Sequence, residues 1–438
     1  MIFLDIALIF FLLLTVTNYR VQRSVLYPPF IFSGMWLLDL IVYRSGLLEI
    51  DPVHGKTLFI LAFGALAFSI GGWLAILTPT RILRTHLFLP ERKPQPSFIR
   101  NLLVLILICG LPVLFYQVFQ LGRGGSGISF LMRARAAQVD AMQNGQQIHS
   151  FFLDYFLTIA IFISFAFATE KRDRRFWIAT GVAFFGCILS TGRTSLLVLI
   201  GGLSAIRLLQ AHRESFSQSL KLLRWPVLLF ITLYIALIFI NKNTEGLVGG
   251  ASGIAVYFVL SYIAGPLAAF DRVVQRPFDF VPVGSHVFEF PLKLAGALHL
   301  TNYIPPPRFD EFILVPFPTN VYTVYKFYFL ELGIGGMLCI MLIVGFFHSL
   351  LYLKARQGGK FSTYMFAFSF YSVLMVIFDD AYSSAGGYLR AFIFGWLYFT
   401  AVSVPLRLHL FPSRKQPSHR SSSSASLAGC SDETSEAL

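Results

Sequence analysis

Long apolar blocks, rather than alternating or amphipathic patterns, dominate the chain. They fall at residues 2–17, 28–43, 58–77, 102–121, 151–169, 176–191, 194–210, 226–241, 254–270, 327–353, 361–378 and 389–405. Most approach the roughly 20 residues a helix needs to cross about 30 Å of hydrocarbon. Backbone groups in lipid must bond within their own segment, and these blocks are too long and too evenly apolar for barrel strands. The pattern predicts an all-α fold, a polytopic transmembrane helical bundle.

The block at 254–270 stands apart, because it is short and carries Ser261, Tyr262, Gly265 and Pro266. If it does not cross, the short basic loops share one side: Arg20 with Arg23, Arg81 through to Arg100, Lys171 to Arg175, Arg213 to Arg224, Lys354 to Lys360, and Arg407 to Arg420. The excess of Lys and Arg in cytoplasmic loops favours that arrangement. The expectation is about eleven full spans with an outer N-terminus, and a re-entrant or interfacial helix within a long outer loop, 241–326; the alternative is that 254–270 crosses as an ordinary twelfth span. A second outer loop is expected at 122–150. Residues 1–412 read as a single membrane domain, and the Ser-rich stretch 413–438 as a disordered cytoplasmic tail. The first block has no preceding Lys or Arg and contains Asp5, so it reads as a retained span rather than a cleaved signal.

Composition narrows the function classes. Hydrophobic residues make up 56% of the 438 and charged residues 13%, which excludes an ordinary soluble protein. The net charge of +13 lies in loops between apolar blocks, at lipid head groups, and no basic helix is interleaved with base-reading residues. Nucleic acid is therefore not an expected partner; membrane lipid is. Cys109, Cys187 and Cys339 lie in apolar blocks and Cys430 in the tail, giving neither a disulfide framework nor metal-ligand spacing. There is no P-loop and no H-E-x-x-H, and the glycines from Gly122 to Gly127 follow an apolar block rather than a strand. Neither a repeat of 20 to 50 residues nor the matched broken helices of many transporters occurs.

The informative residues are arginines on the side where the charge rule disfavours them. Arg123, Arg133 and Arg135 fall in the first outer loop, Arg193 in a very short turn, and Arg272, Arg276 and Arg308 in the long outer loop. A guanidinium presents a planar fork of donors suited to phosphate. Arg193 is held at the membrane boundary by two flanking apolar blocks, where it could equally snorkel to head groups. Acid–base candidates outside are His286, Glu289, His299, Asp310, Glu311, Glu331, Asp379 and Asp380, and spacing does not choose among them. Asp5 and Asp39 lie in or near spans, where ionisable groups are functional suspects by default.

The stretch Pro318-Thr319-Asn320-Val321-Tyr322-Thr323, followed by Glu331-Leu332-Gly333-Ile334-Gly335-Gly336, resembles the signature of the bacterial O-antigen polymerase (Wzy-type) family, the oligosaccharide repeat unit polymerases. The likeness extends to Tyr262-Ile263-Ala264-Gly265-Pro266, to Thr191-Gly192-Arg193-Thr194, and to the pair Arg133 and Arg135. Related ligases usually carry His-Asn where this chain has Thr319-Asn320, and an Arg-x10-Gly pattern of some polymerases is not matched. The resemblance implies transfer of a growing glycan from undecaprenyl diphosphate to another lipid-linked repeat unit, at the periplasmic face of the inner membrane. It implies no cofactor, no nucleotide sugar and no metal, because the diphosphate already activates the donor, and it implies a chain-length regulator protein as partner. Carried onto this chain, Arg133, Arg135 and Arg193 would hold diphosphate with help from Arg308. Asn320, Tyr322 and Glu331 would border the acceptor, with Glu331 the preferred base and His286 and Asp271 next. A ligase and a lipid-linked oligosaccharide flippase are the competing readings.

Overall fold

The computed structural model describes residues 2–78, 97–125, 128–143, 151–170, 173–190, 192–211, 216–241, 250–277, 285–303, 312–315, 317–383 and 385–399. The chain divides into two units, Met1–Ser403 and Val404–Leu438. The second unit, with the tail expected at 413–438, lies outside the described residues, as does Arg308. Among the described residues there are fourteen helices: α1 (Ile2–Gln22), α2 (Pro28–Arg44), α3 (Gly55–Leu77), α4 (Ser97–Leu121), α5 (Ile128–Gln143), α6 (Phe151–Thr169), α7 (Arg174–Leu189), α8 (Arg193–Ala211), α9 (Phe216–Asn241), α10 (Gly250–Gln275), α11 (Glu289–Ala297), α12 (Lys326–Arg356), α13 (Lys360–Leu374) and α14 (Ala385–Phe399). A two-stranded antiparallel ribbon, β1 (Ile313–Leu314) and β2 (Pro318–Thr319), precedes α12. The fold is an all-α polytopic membrane bundle. By length and composition, seven helices suffice to cross a membrane, namely α1, α3, α4, α8, α9, α10 and α12.

Contacts near the helix termini sort the helices between two ends. At one end Arg356 of α12 donates to Gln22 of α1 at 2.9 Å, Arg100 of α4 meets Asp173 before α7 at 3.0 Å, and Gln210 of α8 donates to the Ala168 carbonyl of α6 at 2.7 Å. Tyr398 of α14 donates to Glu170 at 3.1 Å there, and Phe216 of α9 packs on Tyr19 of α1. Asp173 also caps α7, accepting from the Arg175 and Phe176 amides. At the other end Arg44, closing α2, pairs with Asp5 of α1 at 2.8 Å. Among the described residues, α1, α2, α4, α6, α7, α8, α9, α12 and α14 each bring a terminus to one of these contacts. The first end carries Arg20, Arg23, Arg175, Lys354 and Lys360, and is the basic one.

The exterior is apolar. Leu105, Phe115 and Leu228 are half exposed on α4 and α9, as lipid-facing helix surfaces require. The interior has two apolar clusters, one centred on α1, α2, α3, α10 and α12, the other on α4, α6, α7, α8 and α13. The helix α13 is buried from Phe361 to Val373 and serves both. The helices α3 and α12 lie parallel and touch through glycine. A Cβ on Gly71 would strike the backbone at Leu342 and Phe346, and one on Gly345 the backbone at Phe68. Small residues permit such an approach, which dispersion and backbone contacts then stabilise in lipid.

The helix α10 is continuous over 26 residues, so the Gly265-Pro266 step does not interrupt it. Pro266 leaves the Tyr262 carbonyl without its helical donor, and Gly265 makes room for the Phe317 ring, 2.8 Å from where a Cβ would stand. Two contacts orient the helix. Tyr262 meets Arg193, the first residue of α8, while Asp271 meets His54 and Thr57 at the start of α3. Both partners lie at the non-basic end.

Two irregular segments dip inward from the same end. The Val324 amide donates to the Val376 carbonyl at 3.0 Å, and the Tyr325 ring lies against Gly64, more than two turns down α3. Deeper still, the Tyr382 hydroxyl meets His348 Nδ1 at 3.0 Å. Non-helical backbone survives at such depth only where protein or a cavity satisfies it.

Candidate functional site

The short turn between α7 and α8 fixes Arg193 at the non-basic end. Its Nη2 donates to the Tyr262 hydroxyl at 2.8 Å, and its guanidinium carbon lies 4.6 Å from the Tyr262 ring centroid and 5.2 Å from that of Tyr234. The two rings meet edge to face at 6.1 Å, and Tyr262 also contacts Phe378 at the inward-dipping segment. Three elements, α8, α9 and α10, thus converge on one cation. Its Nη1 is buried and meets no hydrogen-bond acceptor. Among the described residues no carboxylate lies within ion-pair distance of Arg193, Arg133 or Arg135.

Arg135 on α5 adds a second cation. Burial, and then the charge of Arg193, push its guanidinium below the usual arginine range. Two guanidiniums that repel each other and have no carboxylate counter-ion among the described residues suit an anion with several acceptor oxygens. Arg133 does not share this position. A helix places residues two apart on nearly opposite faces, and Arg133 is exposed, with Nη1 against Gly124. Gly124 has φ +88°, a left-handed backbone that a side chain would strain.

The acidic candidates fall into separate contact groups. Glu331 accepts from Ser285 Oγ at 2.6 Å, the His286 amide at 2.7 Å and the Val287 amide at 3.3 Å. It pins residues 285–287 to the first turns of α12, just before the kink at Gly333, where φ is +66°. The His286 ring stands edge-on to Phe327 at 3.6 Å. Asp271, almost fully buried, accepts from the His54 amide at 3.0 Å and Thr57 Oγ1 at 2.5 Å, and contacts His54 Nδ1 at 2.8 Å. His54 is the N-cap of α3 and makes no side-chain cap of its own. Asp271 therefore supplies from α10 an acceptor for the amide of the N-cap residue and for the Thr57 hydroxyl at the start of α3.

Tyr322 is buried, with Lys326 Nζ 3.6 Å above its ring, and Asn320 follows β2 in a partly exposed position. Asp380 sits in the segment that dips inward, accepting from the Tyr382 amide at 3.0 Å and from the Ser383 amide and hydroxyl. Burial pushes its carboxyl up to about 6, against the opposing effect of the Ser383 and Tyr328 hydroxyls.

The structure thus brings together Arg193 and Arg135 and adds Tyr234 and Phe378, which sequence reasoning did not single out. An aromatic inside an apolar block has no local signature. Tyr262 stood within the quoted motif but carried no role. Among the described residues no cluster of three metal-ligating side chains occurs.

Comparison with known proteins gives one informative likeness. The chain is 24% identical over 364 residues to a protein of Escherichia coli (strain K12) named "Putative O-antigen polymerase", covering 80% of this chain and 87% of that one. No family model and no solved structure matches.

Proposed function

We propose that this multi-pass membrane protein polymerises undecaprenyl-diphosphate-linked oligosaccharide repeat units at the periplasmic face of the inner membrane. The observation that carries the reading is the Arg193 and Arg135 pair, two cations without described counter-ions at the end opposite the basic loops. The likeness to the Escherichia coli protein, which extends along most of both chains, supports the same direction. In this reading the guanidiniums bind the lipid diphosphate and neutralise the charge that develops as it leaves, while Tyr262 and Tyr234 hold Arg193 in place. The acceptor sugar hydroxyl attacks the anomeric carbon, its proton passes to a base, and undecaprenyl diphosphate departs. Asn320, Tyr322 and the segment anchored by Glu331 border the acceptor, and a chain-length regulator is the expected partner.

Deleting the gene in its host tests the assignment. Surface anchors bearing single repeat units are the expected result. Polymer stranded on the carrier would instead identify a ligase, and repeat units trapped on the inner leaflet a flippase.

A further inference from the structure

Asp39 takes no part in that chemistry, yet it is the most unusual ionisable group in the bundle. It lies on α2, one turn before Tyr43, with no solvent exposure. Both carboxyl oxygens are buried without a hydrogen-bond partner. The other intramembrane candidate, Asp5, has Arg44, and buried Asp271 has three contacts on α3 and its cap.

An isolated ionised carboxylate in an apolar interior forfeits its hydration with nothing to replace it, and such a group takes up a proton instead. A metal ion would need further ligands, and no metal-ligating cluster contains Asp39 among the described residues. Its surroundings on α2 are apolar and aromatic: Leu40 is fully buried, and Trp36 stacks on Tyr325, which also contacts Phe270 of α10. The next polar residue along α2 is Tyr43, one turn on. There the Tyr43 hydroxyl contacts the Asp51 carbonyl and accepts from the Val53 amide, while Asp51 pairs with Arg272 and Asp271 contacts His54. These close among themselves and leave nothing for Asp39.

We propose that Asp39 is an intramembrane proton-binding site, a carboxyl that carries an exchangeable proton in the resting protein and keeps the contact between α2 and α10 dry. The inference does not depend on the glycan chemistry.

The test is a difference infrared spectrum of the full-length protein in lipid at neutral pH, wild type minus Asp39→Asn. Asparagine keeps the shape and the neutrality, so the variant should accumulate and make polymer as the wild type does. The expected difference is loss of the carbonyl stretch of a protonated carboxylic acid. Loss of carboxylate bands instead would overturn the proposal, as would a carboxylic-acid band that disappears on adding sodium ions.

A second reading uses dicyclohexylcarbodiimide, which partitions into apolar interiors. The acid O–H adds across a C=N bond, oxygen bonding to carbon and the proton passing to nitrogen, to give an O-acylisourea that rearranges to an N-acylurea. The adduct is expected on Asp39 and absent from the Asn variant. An adduct on Asp380 or Asp271 with none on Asp39 would count against the proposal.

Discussion

The Arg193 guanidinium donates to the Tyr262 hydroxyl at 2.8 Å while lying 4.6 Å from the centre of the same ring. Tyr262 therefore both accepts a hydrogen bond from this cation and offers it a π face. Tyr262→Phe keeps the ring and removes the acceptor. A charge-assisted hydrogen bond contributes about 1.5–3 kcal/mol, so polymerisation by membranes containing the variant should fall roughly 10- to 100-fold. Tyr262→Leu should fall further. Equal rates for the phenylalanine variant and wild type would remove the hydroxyl from the account.

The carboxyl of Glu331 is engaged by Ser285 and two backbone amides, and that of Asp271 by the start of α3. Both are expected to act as fasteners. Asp271→Ala leaves the His54 amide and the Thr57 hydroxyl without their acceptor and should lower stability by about 1–3 kcal/mol, read as a lower melting temperature in detergent. Glu331→Gln should likewise lower the melting temperature while polymer is still made. Abolished polymer at an unchanged melting temperature would restore Glu331 as the base.

Gly333 adopts φ +66° at the kink of α12. Gly333→Ala should cost about 1–3 kcal/mol, because its positive φ with an extended ψ of −175° is a backbone conformation essentially confined to glycine. Gly345→Ala should be more damaging, since its Cβ would strike the Phe68 backbone. Comparable melting temperatures for both variants and wild type would contradict the helix contact described.

Asp380 sets a pH dependence. Burial raises its carboxyl from 3.8 to about 6, so the folded protein binds more protons than the unfolded chain between those values. Stability should then fall as pH rises through that window, by about 3 kcal/mol from the linkage relation. Asp380→Asn should flatten the slope of melting temperature between about pH 4 and 6. An unchanged slope would locate the titration elsewhere.

Much of this was legible in the sequence, for reasons that differ by element. Apolar blocks marked the helices because lipid leaves the backbone no other partner. Loop charge singled out 254–270, which lies within the continuous helix α10. Its boundaries were less legible. The apolar block stops at the charges of Asp271 and Arg272, whereas α10 continues to Gln275 because Asp271 finds acceptor work at α3 and Arg272 pairs with Asp51. Arg193 was visible as a cation in an apolar turn. Its aromatic enclosure was not, since Tyr234 and Tyr262 lie 41 and 69 residues away and meet it only in the folded bundle. Spacing also could not separate Arg133 from Arg135, which helix geometry sends in different directions.

Replacing Arg193 with Lys in the deletion strain at matched protein level tests whether its guanidinium binds the diphosphate. Lysine keeps the charge and loses the planar fork. The length distribution of the surface polysaccharide should collapse toward single repeat units, with Arg193→Ala at least as severe. A wild-type distribution in both variants would contradict the account.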